Sequence, residues 1–540
     1  MPQSKRLRLD GWQLAAALVA ALTLVPVAVS FSSFAQVDGD TLAHLAEFVL
    51  PELLLNTFWL VIGVGVGVAV LGVSLAWLVA MCEFPGRRVL EWALLLPLAL
   101  PAYVTAFVAI DLLDFSGPLQ SWLRDGWGIT GLPEVRSRAG VIAVMSLALY
   151  PYVYLIAKNA FATQGAMALE AAQSLGLSRT RGFFKVALPM ARPWIAAGVM
   201  LALMETLADF GTVAVFNYDT FTTAIYKAWY SLFSLPAAAQ LASVLIVFVF
   251  IAVVIEQRSR AQMRFAAVGR NAASRRIALS GARAWLALAY AAAVLLLAFV
   301  IPVTQLVLWT WDTAAQDLDA RYWSFTLHSL ILSGLGAMLV IAVALLLAYA
   351  GRLRPGSRMV WIQRLATLGY AFPGAVLAVG LFIPVAALDN ALIDLGHRWF
   401  GFQGTEIFKG TLLVMLLAYL VRFLAVGFGP IESGLQRITT HVDEAARSLG
   451  LANRQLLARV HWPMLQVSLK TAAALTFVDI MKEMPITLMT RPFGWDTLAV
   501  RVFEMTSEGE WERAALPSLA IVLVGLVPVL FLTRRGAMHD

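Results

Sequence analysis

The sequence predicts an all-α membrane protein with about twelve transmembrane helices in two parallel six-helix repeats. Three observations point there. The 540 residues are 60% hydrophobic and only 14% charged, with a mean hydropathy of +0.78, outside the range of soluble globular chains. Apolar stretches near the ~20 residues that a bilayer requires recur twelve times along the chain. A polar segment, Glu170-Ala171-Ala172-Gln173-Ser174-Leu175-Gly176-Leu177, returns 274 residues later as Glu444-Ala445-Ala446-Arg447-Ser448-Leu449-Gly450-Leu451. Between Glu170–Pro193 and Glu444–Val467, 10 of 24 aligned positions are identical, so two halves each carry one copy.

The first half is read as six spans: Trp12–Phe34, Leu53–Cys82, Trp92–Leu113, Ala139–Phe161, Trp194–Phe216 and Ala237–Ile255. The second gives Ala284–Leu308, Phe325–Ala350, Ile362–Leu388, Gly410–Phe428, Val467–Thr490 and Ala514–Thr533. The first span follows Lys5, Arg6 and Arg8 but is long and lacks a clean small-x-small site, so it reads as a retained anchor rather than a cleaved signal. The division is then residues 1–255 for the first half, 256–283 for a basic linker with seven Arg, and 284–540 for the second half.

Charge orients the layout. With the N-terminus inside, the inner segments carry more than twice the Lys and Arg of the outer loops, which hold 10. Both termini and both Glu-Ala-Ala segments, within 167–193 and 441–467, then fall in the cytoplasm. The net charge of +7 therefore reflects membrane topology and calls for no nucleic-acid partner. The outer loops hold 19 acidic residues against their 10 basic ones, a face that attracts cations or a basic partner. The plainer alternative is that acids are simply tolerated outside. Six spans per half give both halves the same orientation, the signature of a parallel repeat with a pathway expected between them. Pro101-Ala102 and Pro373-Gly374 match across the repeat, and proline within a span frees a carbonyl beside a cavity.

Each Glu-Ala-Ala segment reads as two short helices joined at a turn. Ala171, Ala172 and Leu175 favour helix, and Gly176 is the residue type that ends one in the left-handed conformation. Ser178 or Asn453 can cap the next helix, and Pro189 or Pro463 closes it. An ordinary amphipathic surface loop is the alternative, disfavoured by two copies at matched positions.

These residues resemble the EAA loop of ABC importer permeases: Glu-Ala-Ala, Gly six residues after the Glu, and an ending such as Val186-Ala187-Leu188-Pro189. The second copy ends Val460-His461-Trp462-Pro463, with Trp where Leu is usual. The resemblance implies a type I importer permease whose coupling residues are Glu170, Ala171, Ala172, Gly176, Glu444, Ala445, Ala446 and Gly450. It also implies two copies of an ABC ATPase subunit that bind ATP, a periplasmic substrate-binding protein, and a multi-pass location in the bacterial inner membrane. No cofactor is expected on this chain.

At the same 274-residue offset, Glu205 matches Asp479 and Asp209 matches Glu483. Spacing of i, i+4 puts each pair on one face of its helix. Glu205 lies roughly 16 Å in from Trp194 at 1.5 Å per residue, near mid-bilayer. A carboxylate there costs about 2.5 kcal/mol or more, so these acids should face a wet cavity or find partners. One reading makes all four a substrate pathway; the other has Lys482 or Arg422 pair with them to lock helices together.

The surrounding strings, Glu205-Thr206-Leu207-Ala208-Asp209-Phe210-Gly211-Thr212-Val213 and Lys482-Glu483-Met484-Pro485-Ile486-Thr487-Leu488, resemble the two halves of ferric-iron importer permeases. Arg491-Pro492-Phe493 and Asp496-Thr497-Leu498-Ala499 extend the likeness, with Met484 where Leu is usual. Ferric iron is then the expected substrate, and thiamine, polyamine and phosphonate importers share the architecture. Tyr103, Tyr150, Tyr152 and Tyr154 could add oxygen ligands, or serve as interface anchors.

No Gly-x-x-x-x-Gly-Lys-Ser/Thr loop is present, so ATP hydrolysis is expected on a separate chain. Gly63, Gly65 and Gly67 read as close helix packing. The six histidines show no metal-ligand spacing, the single Cys82 excludes an internal disulfide, and no catalytic set is visible. The rival class is an ion-coupled secondary transporter, which has no use for duplicated Glu-Ala-Ala loops.

Overall fold

The structure, a computed structural model, describes residues 11–36, 45–129, 133–165, 172–266, 276–401, 404 and 406–537. The first half contains α1 (Gly11–Ser32), α2 (Leu50–Met81), α3 (Arg87–Ala93), α4 (Ala102–Leu113), α5 (Pro118–Trp127) and α6 (Arg138–Ala160). It continues with α7 (Leu188–Ala208), α8 (Gly211–Val215), α9 (Phe221–Tyr230) and α10 (Leu235–Ala266). The second half contains α11 (Ala282–Leu295), α12 (Ile301–Asp317), α13 (Ala320–Leu353), α14 (Ser357–Ala366), α15 (Gly374–Phe400) and α16 (Leu413–Arg437). The loop helix α17 (Thr440–Ser448) follows, then α18 (Trp462–Met481), α19 (Pro485–Thr490), α20 (Leu498–Ser507) and α21 (Ala515–Ala537). The strands among the described residues are β1 (Cys82–Glu83) and β2 (Ile277–Ala278), paired in parallel.

Eleven helices among the described residues are long and apolar enough to cross a membrane, and Ala515–Leu530 is a shorter apolar one. All twelve expected spans are thus met by helix, but four are not continuous. The third and ninth expected spans each break into an amphipathic helix (α3, α14), a 3-10 turn, and a second helix (α4, α15). Pro101 and Pro373 sit at the matched breaks with extended backbone, since neither can donate the amide proton a continuing helix needs. The fifth and eleventh expected spans stop early, at Ala208 and Met481, and restart as the short α8 and α19.

The chain divides into two compact units that exchange segments along the sequence. One comprises residues 1–37, 225–243 and 323–500; the other comprises 38–224, 244–322 and 501–540. The first span of each half therefore belongs to the unit built mainly from the other half. In the first unit α1 packs on α14 and α15. Thr23 Oγ1 donates to the Ala366 carbonyl at 3.0 Å. Trp12 meets the Tyr349 ring edge-on at 5.7 Å. Gly380 lets α15 approach α1 closely, for a Cβ at that position would stand 2.5 Å from the Pro26 Cα.

In the second unit α2, α6 and α7 pack together. Gly63 and Gly67 admit the side chains of Ile142 and Ser146 to the α2 backbone, the close packing their spacing predicts. The Phe107 ring of α4 stacks on Trp309 of α12 at 6.2 Å and on Trp511 at 6.3 Å.

The contact at Gly380 is backbone against side chain and cannot be relieved by a rotamer change. Gly380→Val is expected to destabilise the protein by about 1–3 kcal/mol, the usual range for an overpacked core. Thermal unfolding in detergent measures it, and loss of a disulfide between cysteines placed at Thr23 and Ala366 would report that α1 has left its seat.

Candidate functional site

The two Glu-Ala-Ala loops share one local geometry. Glu170 and Ala171 lie outside the described residues; from Ala172 onward the copies superpose in detail. Gly176 donates to the Gln173 carbonyl at 2.9 Å and Leu177 to that of Ala172 at 3.0 Å. In the second copy Gly450 donates to Arg447 at 2.9 Å and Leu451 to Ala446 at 3.1 Å. Both glycines have φ of 82°, which a side chain would strain, so each closes its helix with the Schellman arrangement expected of it. Ala172 and Ala446 are buried, whereas Leu175 and Leu449 are each 83% exposed. Each loop therefore faces the protein with its alanine and offers a leucine outward. Ser178 takes the Arg181 amide at 3.4 Å, as expected of a cap. In the second copy the corresponding helix begins at Asn453 (Asn453–Leu456), and the Ala452 amide donates to Gln455 Oε1 at 3.1 Å.

The second loop is fastened by an ionic cluster. Arg352, at the end of α13, bonds the Asp443 carboxylate through Nε at 3.0 Å and Nη2 at 2.7 Å. Its Nη1 bonds the Leu435 and Ile438 carbonyls at 2.7 and 3.0 Å, closing the C-terminal end of α16. Asp443 lies in the first turn of α17, where a carboxylate also suits the helix dipole. His461 Nε2 lies 2.9 Å from Asp443 Oδ1, and the His461 ring, fully buried, meets Tyr349 edge-on. Burial works to raise the Asp443 carboxyl, but the hydrogen bonds from Arg352 and His461 and their positive charge outweigh it. The carboxyl is held below its ordinary value. Among the described residues of the first loop, the contacts are aromatic: Trp77 of α2 packs on Phe161 at 5.3 Å and on Phe183 at 4.4 Å.

The four membrane-depth acids separate into two kinds. Because α7 ends at Ala208 and α18 at Met481, Asp209 and Glu483 lie past the helix and do not share a helix face with Glu205 and Asp479. They close the breaks. Asp209 accepts the Thr212 hydroxyl at 2.9 Å and the Val213 amide at 3.2 Å. Glu483 accepts the Ile486 amide at 2.9 Å, the Thr487 amide at 3.2 Å and the Thr487 hydroxyl at 3.2 Å. Pro485 and Gly211, at the matched place, end the preceding helix and leave these amides to be satisfied. Gly374 makes room for Glu483: a Cβ there would stand 2.8 Å from Oε1.

Glu205 and Asp479 are half-buried. Lys482 pairs with Asp479 at 3.0 Å, three residues away at the end of the same helix, so this pair is local and not a lock between helices. Arg422 directs Nη1 to the Phe372 carbonyl at the ninth-span break, 2.6 Å away. Tyr150 and Tyr154 are neither ligands nor interface anchors: fully buried, they donate at 2.9 Å to the Leu94 and Glu91 carbonyls and brace the third-span break.

Arg352, Asp443 and His461 were not singled out by sequence. Comparing the repeats hides them, because the first copy has Leu169 and Ala187 where the second has Asp443 and His461.

The folded-state carboxyl of Asp443 lies below its unfolded value of about 3.9. Its contribution to stability is therefore complete above about pH 5 and is lost as pH falls through the folded value. Asp443→Asn is expected to destabilise by about 3 kcal/mol at pH 7, as for breaking a buried pair. The gap to the parent protein should close on acidification, read by thermal unfolding across pH. Glu483→Ala and Asp209→Ala should each lose about 1–2 kcal/mol, as caps do, measured in the same assay at neutral pH.

Residues 69–261 match the model of the family described as binding-protein-dependent transport system inner membrane component. The chain is 27% identical to the Fe(3+)-transport system permease protein FbpB 2 of Haemophilus influenzae over 491 residues, 90% of each chain. It is 32% identical to the molybdenum transport system permease protein ModB of Escherichia coli over 34% of this chain and 82% of that one. A putative 2-aminoethylphosphonate transport system permease protein, PhnV of Salmonella typhimurium, is 26% identical over 40% of this chain and 76% of its own. With duplicated loops, apolar spanning helices and these likenesses together, the chain belongs to the family of inner membrane components of binding-protein-dependent transport systems.

Proposed function

We propose that this permease carries ferric iron across the inner membrane by alternating access. The observation that carries the substrate reading is the end-to-end likeness to an Fe(3+)-transport permease, 90% of both chains. The molybdenum and phosphonate permeases match 34% and 40% of this chain. Oxygen donors suit a hard trivalent cation. Glu205 and Asp479, the matched pair of acids that lie within α7 and α18, are the residues we place on the route. Asp209 and Glu483, first grouped with them, support the route by holding its broken helices.

In this reading residues 1–255 and 284–540 are the two permease halves, joined by the basic linker 256–283. Both termini are cytoplasmic. A periplasmic binding protein delivers the cation, and two ATPase subunits bind ATP and grip one loop each. The coupling set is Glu170, Ala171, Ala172 and Gly176 in one loop, and Glu444, Ala445, Ala446 and Gly450 in the other. Exposed Leu175 and Leu449 supply what a cleft on an ATPase would cover. The closed glycine turns make each loop a short rigid lever, which transmits displacement where a floppy segment would absorb it. The chain itself holds no cofactor in this scheme.

Replacing both Glu205 and Asp479 by Ala is expected to lower ferric uptake into vesicles at least tenfold while assembly with the ATPase persists. Unchanged ferric uptake removes these acids from the route, and uptake of thiamine in place of iron overturns the substrate. Gly176→Pro and Glu444→Arg should leave insertion intact yet separate ATP hydrolysis from transport; normal uptake by both variants counts against the coupling role.

A further inference from the structure

We propose that the two coupling loops are mechanically unequal, the second being held by an Arg352–Asp443–His461 latch that keeps ATP hydrolysis tied to transport. The inference rests on the coupling reading of the loops. It goes further by naming residues behind the loop, not on its docking face, and by assigning them to one half.

The argument begins with a reciprocal exchange. Aligning the two Glu-Ala-Ala segments, and Pro85-Gly86 with Pro355-Gly356, pairs each fastening residue with its counterpart. Where the second half has Arg352, Asp443 and His461, the first has Cys82, Leu169 and Ala187. Where the first half has Trp77, Phe161 and Phe183, the second has Leu347, Leu435 and Leu457. At these aligned positions one half carries the polar set and the other the aromatic set.

The two chemistries resist displacement differently. The apolar burial that holds the rings is non-directional, and their edge-to-face preference adds only a little to it, so a ring can slide by a fraction of an ångström with little loss. The latch is directional. Arg352 makes a two-pronged contact with Asp443 and, with its remaining amino group, fixes the last carbonyls of α16. Its guanidinium plane is thus held by α16 before it meets the loop, and the Asp443 carboxylate must come to it at one angle. The Arg352 and Asp443 side chains are each 13% exposed and that of His461 1%, so water cannot easily take over a released partner. His461 stands just before α18, the helix that carries Asp479. A push on α17 is therefore delivered to α13, α16 and α18 together, with no soft contact between.

Arg352, Asp443 and His461 act as positioning residues: they touch neither ATP nor the transported ion. The test uses the full complex, permease with its ATPase subunits and binding protein, in proteoliposomes. Ferric ion imported per ATP hydrolysed is the readout, with amide hydrogen exchange over Thr440–Ser448 as the second. Asp443→Asn and Arg352→Gln are expected to lower the import ratio about fivefold or more, the scale of a typical coupling energy. ATP hydrolysis continues, and exchange in α17 rises. Arg352→Lys, which keeps the charge but not the fork, should restore little of it. Trp77→Leu, giving the first half the residue of the second, should leave the ratio near that of the parent.

Where Asp443→Asn fails to assemble, His461→Gln, which retains a donor at reduced reach, takes its place. An unchanged ratio in Asp443→Asn beside an uncoupled Glu444→Arg overturns the latch and leaves the coupling reading intact. An unchanged ratio in Glu444→Arg defeats the coupling reading itself. An equal loss in Trp77→Leu overturns the inequality of the loops.

Discussion

The carboxylate of Glu483, taking the amide protons of Ile486 and Thr487, satisfies the demand that shapes the whole chain. Within hydrocarbon an amide with no partner is destabilising by several kcal/mol, so a spanning helix can be interrupted only where a side chain steps in. Asp209 does the same for the Val213 amide and also accepts the Thr212 hydroxyl. Once those amides are met, the helix can stop and restart as the short α8 and α19. The breaks at Pro101 and Pro373 follow the same logic with other partners. Tyr150 and Tyr154 donate to carbonyls near one, and Arg422 donates to the Phe372 carbonyl at the other. Asp209, Glu483, Tyr150, Tyr154 and Arg422 are thus polar side chains that serve interrupted backbone.

The duplicated halves agree in skeleton and differ in fittings. The same helix breaks, the same glycine turns and the same outward leucines occur in both. Tyrosine braces a break in one and arginine in the other; rings hold one loop and an ion pair holds the other. Duplication conserves what the backbone requires, whereas side-chain solutions to one mechanical need have diverged.

How much of this was legible beforehand depends on whether a signal was local. Composition and span length suffice for the fold class, because a bilayer imposes length and apolarity on every crossing segment. The glycine turns were readable because a positive φ all but requires that residue. Span boundaries were less so: the third, fifth, ninth and eleventh segments are apolar throughout, and hydropathy does not register a break inside an apolar run. Asp209 and Glu483 illustrate the error that results. Spacing of four residues implies one helix face only if the helix continues, and Gly211 and Pro485 were the warning that it does not. The Arg352 cluster was invisible for a different reason. Its members are 91 and 18 residues apart along the chain, and only tertiary structure brings them together. The exchange of first spans between the compact units is likewise a long-range choice that no local pattern announces.

That exchange bears on how the protein is made. Thr23 of α1 finds its hydrogen-bond partner 343 residues further along the chain, at Ala366. At 5–20 residues per second of synthesis, roughly 20–70 s pass before that partner leaves the ribosome. During this interval the N-terminal helix stands in the membrane with Pro26 and Ser30, buried in the finished protein, turned toward lipid or an insertion chaperone. Seating of the first helix thus waits for the second half to be made, and a nascent chain halted after its first half would retain an unclaimed helix.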